Sequence, residues 1–214
     1  MAGRLITFEG TEGSGKSTQI QRLKSRIECF GMTALALREP GGTPIGEEIR
    51  HTLKHSKNNA AMTPEAELLL MNASRAQLVR ELIRPALKRG TIVLCDRFYD
   101  STTVYQGYGR GLDLASVRRV VDLAVGEIRP NLTLLLRIPQ QVSEQRIHAR
   151  QATMSFVRDR MEEADRDFFL RVQQGYDAIA AAEPERIKVI DASADITEIS
   201  ESIWAMVKPL LLKR

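Results

Sequence analysis

A glycine-rich segment near the amino end of the chain carries the residue types that bind phosphate. Residues 10–17 read Gly-Thr-Glu-Gly-Ser-Gly-Lys-Ser and match the pattern Gly-x-x-x-x-Gly-Lys-Ser in full. In such a loop, backbone N–H groups surround the phosphates, Lys16 reaches the β- and γ-phosphate oxygens, and the Ser17 hydroxyl ligates Mg²⁺. A chance glycine-rich turn is disfavoured by the apolar run before the motif and the amphipathic stretch after it. The motif predicts that a nucleoside triphosphate is bound by Gly10, Thr11, Glu12, Gly13, Ser14, Gly15, Lys16, Ser17 and Thr18.

A second pair of chemically active residues, Asp96 and Arg97, follows an apolar run. The carboxyl ends of the strands in an open α/β sheet are where such proteins bind ligands. Asp96 could therefore act on Mg²⁺, its water, or an acceptor group, and Arg97 on a phosphate. A structural Asp that caps the next segment is the alternative, and the phosphate-binding loop favours the functional interpretation.

The elements that must position these residues alternate between short apolar runs and longer helical patterns. Strands are predicted at residues 5–9, 33–37, 91–96, 132–138 and 187–191, each apolar nearly throughout, as parallel strands covered on both faces are. Thr63 and Pro64 predict the start of a long helix that ends between residues 85 and 90. Right-handed crossovers then predict an α/β fold with three layers, a doubly wound, five-stranded parallel sheet with helices on both faces.

Composition bounds the class of protein. The 214 residues are about one domain's length, and no linker-like segment divides residues 1–214. Lys and Arg exceed Asp and Glu by 31 to 27, a net charge of +4 that suggests a polyanionic partner. Aromatic residues make up only 5%, yet Tyr99, Tyr105 and Tyr108 fall within ten residues, which suggests a site.

Two features predict a cytoplasmic protein. No apolar run approaches the ~20 residues of a membrane helix, and residues 1–9 lack the pattern of a signal peptide. Cys29 and Cys95 lack Cys-x-x-Cys spacing, so we expect neither a disulfide nor a zinc framework.

Missing motifs narrow the enzyme class. The chain has neither the Asp-x-x-Gly and Asn-Lys-x-Asp motifs of GTPases nor the Leu-Ser-Gly-Gly-Gln motif of transport ATPases, which leaves small kinases. Phosphoryl transfer by such kinases requires cations that neutralise the transferred group. Six arginines follow one another from residue 146 to residue 171, and three lie where helical periodicity fails: Arg150, Arg158 and Arg160. We expect these three to belong to a lid at about residues 149–161.

Several motifs, taken together and in order, resemble the thymidylate kinase family. They are Phe-Glu-Gly-Thr-Glu-Gly-Ser-Gly-Lys-Ser-Thr at 8–18, Arg-Glu-Pro-Gly-Gly-Thr at 38–43, Arg-Ala-Gln at 75–77, Asp-Arg-Phe at 96–98, Tyr-Gln-Gly at 105–107, and Gly-Tyr at 175–176. The resemblance spans nearly the whole chain. It implies a P-loop kinase fold and transfer of the ATP γ-phosphate to dTMP, giving dTDP and ADP, in a Mg²⁺-dependent cytosolic homodimer that binds neither nucleic acid nor membrane.

The resemblance also implies roles for individual residues. Arg75 resembles the arginine that hydrogen-bonds the thymine carbonyl, Thr102 a polar residue at the N3 edge of the base, and Tyr105 the residue that rejects ribose. Further residues that resemble substrate-binding positions are Glu12 near the sugar hydroxyl, Pro40 as a pocket wall, Arg97 as the clamp on the acceptor phosphate, Ser101, Gln106, and Tyr176. Ser17 and Asp96 are the expected Mg²⁺ ligands.

Two departures from the family pattern are visible. Met71 occupies the position where the family commonly stacks an aromatic ring on thymine; a thioether can cover the ring face with less area. Because the loop offers Glu12 and no arginine, the chain resembles the bacterial subgroup in which the lid supplies the catalytic cation. We expect that cation to be Arg150, with Arg158 and Arg160 as alternatives. The catalytic residues implied are Lys16, Arg97, Arg150, Asp96 and Glu12.

Two rival functions are considered beside dTMP phosphorylation. A P-loop kinase that acts on a nucleoside would have no use for Arg97 as a phosphate clamp. A noncatalytic nucleotide-binding module would lose no activity on substitution of Lys16.

Overall fold

The computed structural model describes residues 3–153 and 166–212 and contains one five-stranded parallel sheet. The strands are β1 (Arg4–Glu9), β2 (Ala34–Arg38), β3 (Ile92–Asp96), β4 (Leu132–Arg137) and β5 (Ile187–Asp191). Their order across the sheet is β2-β3-β1-β4-β5, with every neighbouring pair parallel. The predicted α/β class and all five strands are confirmed, with boundaries that differ by one residue at most.

Helices cover both faces of this sheet. In the described ranges they are α1 (Lys16–Cys29), α2 (Pro44–His55), α3 (Pro64–Leu78), α4 (Arg84–Lys88), α5 (Tyr99–Thr102), α6 (Leu114–Val125), α7 (Gln140–Thr153), α8 (Arg166–Ala182) and α9 (Ile196–Leu212). Alternate side chains of a strand point to opposite faces. Accordingly Ile6 packs with α1 and α9, and Leu5 with α3 and α6.

Two π-helical segments interrupt the helices near the sheet. Val79–Ile83 joins α3 to α4, and Thr103–Gly109 continues α5. Wider turns of this kind are frequent at functional sites. The second segment contains Tyr105 and Gln106, two of the predicted substrate residues.

The predicted long helix begins with the cap that Thr63 and Pro64 indicate. The Thr63 hydroxyl accepts a hydrogen bond from the Ala66 N–H at 3.3 Å, and Pro64 occupies the first helical position. The helical path continues through the π-helical segment and ends at Lys88, within the predicted interval.

Only part of the predicted lid, residues 149–153, lies within the described residues. α7 continues through Thr153, so positions 149–153, where apolar periodicity fails, are helical. Arg150 lies in α7, whereas Arg158 and Arg160 lie outside the described residues.

In the part of the chain that the structure describes, no helix has the length and apolar character needed to cross a membrane.

Candidate active site

The loop between β1 and α1 has the backbone geometry of a phosphate-binding loop. Gly15 precedes α1 in the left-handed region, with φ of 89°, a conformation that favours glycine. A Cβ on Gly10 would lie 2.3 Å from the Leu136 carbonyl oxygen, so a larger residue would displace the loop from β4. The Ser14 hydroxyl is buried without a hydrogen-bond partner among the described residues. A helix N-terminus with an unsatisfied buried hydroxyl beside it fits a bound anion.

Lys16 lies inside this loop. Its Nζ donates to the carbonyl oxygens of Gly10 and Thr11 at 3.1 and 3.0 Å, and the residue is 6% exposed. Burial lowers the pKa of Lys16, as does the nearby Arg97, while three carboxylates oppose this effect. An anion in the loop would therefore relieve both the desolvation of Lys16 and its repulsion from Arg97.

Two side chains whose oxygen atoms can ligate a metal ion meet beside the loop. The Ser17 hydroxyl donates to Asp96 Oδ2 at 3.0 Å, because β3 lies next to β1 in the sheet and both end at this edge. Mg²⁺ prefers oxygen ligands and commonly takes one or two from protein, with water and substrate phosphates completing its shell. The two residues fit this ion, and in residues 3–153 and 166–212 no larger cluster of His, Cys, Asp and Glu points to another metal.

Arg97 lies between the loop and a neighbouring pocket. Its Nη2 is 3.1 Å from Glu12 Oε1 and 3.4 Å from the Tyr105 hydroxyl, and its Nη1 donates to the hydroxyls of Ser101 and Tyr176 at 3.1 and 3.4 Å. Its φ is +67°, the one positive value at a non-glycine residue in the described ranges. The guanidinium is thus held from the loop side and from the pocket side.

Glu12 carries a negative charge toward the same pocket. Burial alone would raise the pKa of Glu12, but Lys16, Arg97 and Lys54 outweigh it and hold that pKa well below its ordinary value. Glu12 therefore stays ionised at neutral pH and can accept a hydrogen bond from a hydroxyl group.

The pocket beside Arg97 opens to solvent, and the empty space in it, part of which is open solvent, is about 580 Å³. It brings together nine of the ten predicted acceptor-side residues: Glu12, Pro40, Met71, Arg75, Arg97, Ser101, Thr102, Tyr105 and Gln106. Tyr176 lies behind the pocket wall, where its hydroxyl contacts Arg97 and Ser101.

Three further residues complete the wall: Glu39, Lys54 and Phe169. Glu39 stands inside the Arg-Glu-Pro motif, which could have indicated it. Lys54 and Phe169 come from α2 and α8, and no local pattern distinguishes them from other residues of those helices.

Arg75 is buried at the far end of the pocket with its N–H groups already bonded. Nε donates to Glu39 Oε2 at 2.7 Å, and Nη1 donates to Asn72 Oδ1 and Thr102 Oγ1 at 2.9 and 2.8 Å. Nη2 donates to the Phe98 carbonyl at 3.1 Å and lies 2.7 Å from Glu39 Oε2. A guanidinium has five N–H groups, so a base carbonyl at Arg75 would have to share one of them.

The hydrogen bonds that Gln106 and Thr102 already make determine which of them can accept a hydrogen bond from a base and which can donate one. Gln106 Nε2 donates to Glu67 Oε1 at 2.8 Å, and Arg110 Nη2 binds the same carboxylate through Oε2. This network assigns the amide nitrogen of Gln106 to Glu67 and leaves its carbonyl as an acceptor. The Thr102 oxygen accepts from Arg75 and retains its own proton to donate.

The three clustered tyrosines have separate roles. Tyr105 is nearly buried, and its ring packs edge-on against Phe168 and Tyr176. The Tyr99 ring contacts the guanidinium groups of Arg129 and Arg186. Tyr108 packs on Gly175, where a Cβ would come within 2.8 Å of its ring. Only Tyr105 lines the pocket.

Arg146 also contacts the phosphate-binding loop, although no motif in the sequence assigned it a role. Its Nη1 donates to the carbonyl oxygens of Gly13 and Ala192 at 3.2 and 3.1 Å. It ties α7 to the phosphate-binding loop and to the turn after β5.

Comparisons with known proteins agree with this geometry. The family described as thymidylate kinase matches residues 8–203. The thymidylate kinase of Syntrophotalea carbinolica is 49% identical over 93% of this chain and 92% of its own length, and that of Chlorobium luteolum is 47% identical over 91% and 92%. The crystal structure of thymidylate kinase from Ehrlichia chaffeensis matches with a TM-score of 0.76 and 30% identity, over 97% of this chain and 99% of that chain.

Proposed function

The chain belongs to the thymidylate kinase family, and we propose that its pocket holds dTMP with the phosphate at Arg97 and the base between Thr102 and Gln106. As a thymidylate kinase it is a phosphotransferase of nucleotide biosynthesis, which transfers the γ-phosphate of ATP to dTMP and forms dTDP and ADP on the route to dTTP for DNA synthesis.

One observation carries the placement of the two substrates. Arg97 Nη2 lies 3.1 Å from Glu12, which belongs to the phosphate-binding loop, while Arg97 also lines the acceptor pocket. A phosphate on Arg97 would therefore face the loop in which Lys16 holds the donor phosphates. Direct in-line transfer requires this juxtaposition and no covalent intermediate.

The base end of the pocket suits a pyrimidine with a carbonyl at position 4 and N–H at position 3. Thr102 offers a proton to the carbonyl and Gln106 an oxygen to the N–H, while Arg75 fixes Thr102 through its own hydrogen bond. Cytosine reverses both groups, and an unpaired buried donor or acceptor costs about 1–3 kcal/mol. Met71 and Pro40 form apolar walls for the ring, and Tyr105, which lines the same pocket, is the residue that we expect to exclude a ribose 2′-hydroxyl.

The donor side is assigned to Gly10–Thr18, with Mg²⁺ held by Ser17 and Asp96. When bound, the ion would neutralise phosphate charge during the transfer. The lid arginine remains part of the proposal: Arg150→Ala is expected to lower kcat chiefly, and the same effect from Arg158→Ala or Arg160→Ala instead would move the role to that residue.

Assembly and location belong to the same proposal. Leu69 on α3 and Leu123 on α6 are 59% and 79% exposed, and they support a homodimer through this face of one P-loop kinase domain, residues 1–214. Analytical ultracentrifugation tests the dimer. The free thiols of Cys29 and Cys95 support a cytoplasmic location.

A coupled ADP-release assay with dTMP, dUMP, UMP, CMP, AMP and thymidine tests the function. We expect dTMP to have the highest kcat/KM. Equal turnover of dTMP and CMP would refute the base assignment, and a preference for thymidine over dTMP would refute Arg97 as a phosphate clamp. For each active substrate, chromatography of the product identifies the nucleotide that has gained a phosphate.

A further inference from the structure

The carboxylate of Glu9, at the carboxyl end of β1, is buried behind the acceptor pocket and accepts four hydrogen bonds. Oε1 accepts from the backbone N–H groups of Phe98 and Ser101 at 2.8 and 3.3 Å. Oε2 accepts from the hydroxyls of Ser101 and Tyr176 at 2.5 and 3.0 Å. Glu9 is 1% exposed, so it does not itself line the pocket.

The two hydroxyls connect Glu9 to Arg97 with a fixed direction. Arg97 Nη1 contacts the same oxygens, at 3.1 Å for Ser101 and 3.4 Å for Tyr176. A guanidinium can only donate, and above about pH 7, where Glu9 is ionised, its carboxylate can only accept. Each hydroxyl has one proton, so it must donate that proton to Glu9 while its oxygen accepts from Arg97.

We propose that Glu9 is a positioning residue for the acceptor phosphate: by taking the protons of the Ser101 and Tyr176 hydroxyls, it keeps their oxygens turned toward Arg97 and holds that guanidinium in the pocket. The proposal rests on the proposed function, in which Arg97 contacts the phosphate of dTMP.

The need for such a hold follows from the opposite side of Arg97. Glu12 attracts the guanidinium toward the phosphate-binding loop through an ion pair at 3.1 Å. Without a proton acceptor at Glu9, the two hydroxyls can rotate and turn their protons toward Arg97. These protons then repel the N–H groups of the guanidinium. The guanidinium then loses two of its acceptors on the pocket side and keeps the Tyr105 hydroxyl, and the ion pair with Glu12 draws it out of the acceptor position.

Glu9→Gln is the test, because glutamine keeps the shape but replaces one acceptor oxygen with a donor. We expect the KM for dTMP to rise about 10-fold or more and the KM for ATP to change less than about twofold, since the relay ends at the acceptor site. Glu48→Gln, at an exposed carboxylate of α2, is the matched control and should leave both KM values unchanged.

A double-mutant cycle separates positioning from a merely structural role. Ser101→Ala should raise the KM for dTMP in the wild-type background but add less than about twofold in the Glu9→Gln background, because the relay is already broken. Full additivity, or an equal rise in the KM values for dTMP and ATP, would overturn the proposal.

Folding and the proposed function are tested separately. If urea unfolding shows that Glu9→Gln is not folded, Ser101→Ala and Tyr176→Phe in the wild-type background take its place, and an unchanged KM for dTMP in both overturns the relay. Arg97→Ala tests the function on which the relay rests. A raised KM for dTMP in Arg97→Ala but not in Glu9→Gln refutes the relay alone, whereas an unchanged KM in Arg97→Ala refutes the phosphate clamp itself.

Discussion

Substitution of Thr102 by Val tests the base end of the pocket with little change in volume. The Thr102 hydroxyl accepts from Arg75 Nη1 at 2.8 Å, and the two residues are 1% and 2% exposed. Valine keeps the shape but leaves a charged donor without its acceptor. Hydrogen bonds to charged groups contribute about 1.5–3 kcal/mol, so we expect the free energy of unfolding to fall by that amount and Tm by about 4–8 °C for a loss of about 2 kcal/mol.

Thr102→Ser is the matched control, because it keeps the hydroxyl and removes one methyl group. Loss of a buried methyl costs about 1 kcal/mol, so urea unfolding should give the order wild type, Thr102→Ser, Thr102→Val in decreasing stability. A role in packing alone predicts the reverse order for the two variants. That reverse order, or a Thr102→Val protein within about 0.5 kcal/mol of wild type, the range of an inconsequential substitution, would refute the hydrogen-bond argument.

Kinetics of the same two variants test base selection. Thr102 donates its remaining proton to a base carbonyl in our assignment, and that hydrogen bond is worth roughly 1.4 kcal/mol, a tenfold change. We expect Thr102→Val to lower the ratio of kcat/KM for dTMP over dCMP about 10-fold, and Thr102→Ser to keep it. An unchanged ratio in Thr102→Val would remove Thr102 from base selection.

Three further predictions concern charges. Lys16→Met should lower kcat about 10²- to 10³-fold by removing a preorganised cation, and single-turnover kinetics with saturating ATP that match wild type would contradict its role. Arg186 binds the buried Asp100 through two hydrogen bonds at 2.7 and 2.8 Å. Arg186→Met should therefore lower the free energy of unfolding by about 3–5 kcal/mol, and the double variant that also carries Asp100→Asn should recover part of this loss. Urea unfolding that shows no recovery would mean that the loss does not come from the unpaired Asp100. Burial, with a smaller contribution from Asp100, raises the pKa of Glu9 from 4.5 to about 7, so the folded state holds a proton that the unfolded state releases between these values. Relative to Glu9→Gln, the stability of wild type and of the Glu48→Gln control should therefore fall by up to about 3 kcal/mol from pH 4.5 to pH 7; parallel urea-unfolding profiles would contradict the shift.

Residues with local signals were predictable from the sequence. The loop at residues 10–17 needs glycines at fixed positions, and the strands are continuous apolar runs because helices cover both faces of the sheet. The start of α3 was predictable from Thr63 and Pro64, because helix capping depends on a few adjacent residues.

Contacts between distant segments were not predictable from local patterns, and those that the family resemblance did not imply were missed. Lys54 and Phe169 lie more than a hundred residues apart in the chain and meet only in the pocket. The N–H groups of Arg75 are bonded because Glu39, Asn72 and Thr102 lie around the guanidinium together, and no spacing in the sequence indicates this arrangement. The π-helical turn that carries Tyr105 has no signature of its own in the sequence.

The backbone at Arg97 has a consequence for any attempt to improve the protein. Its amide is fixed to the Phe8 carbonyl at 2.9 Å, with φ at +67°, where a side chain with a Cβ costs about 1–2 kcal/mol relative to glycine. Only glycine would remove this cost, and Arg97→Gly would also remove the guanidinium that contacts Glu12, Ser101 and Tyr176. A screen for heat resistance therefore has little to gain at this position, and variants found there have to be checked for kinase activity before they are kept.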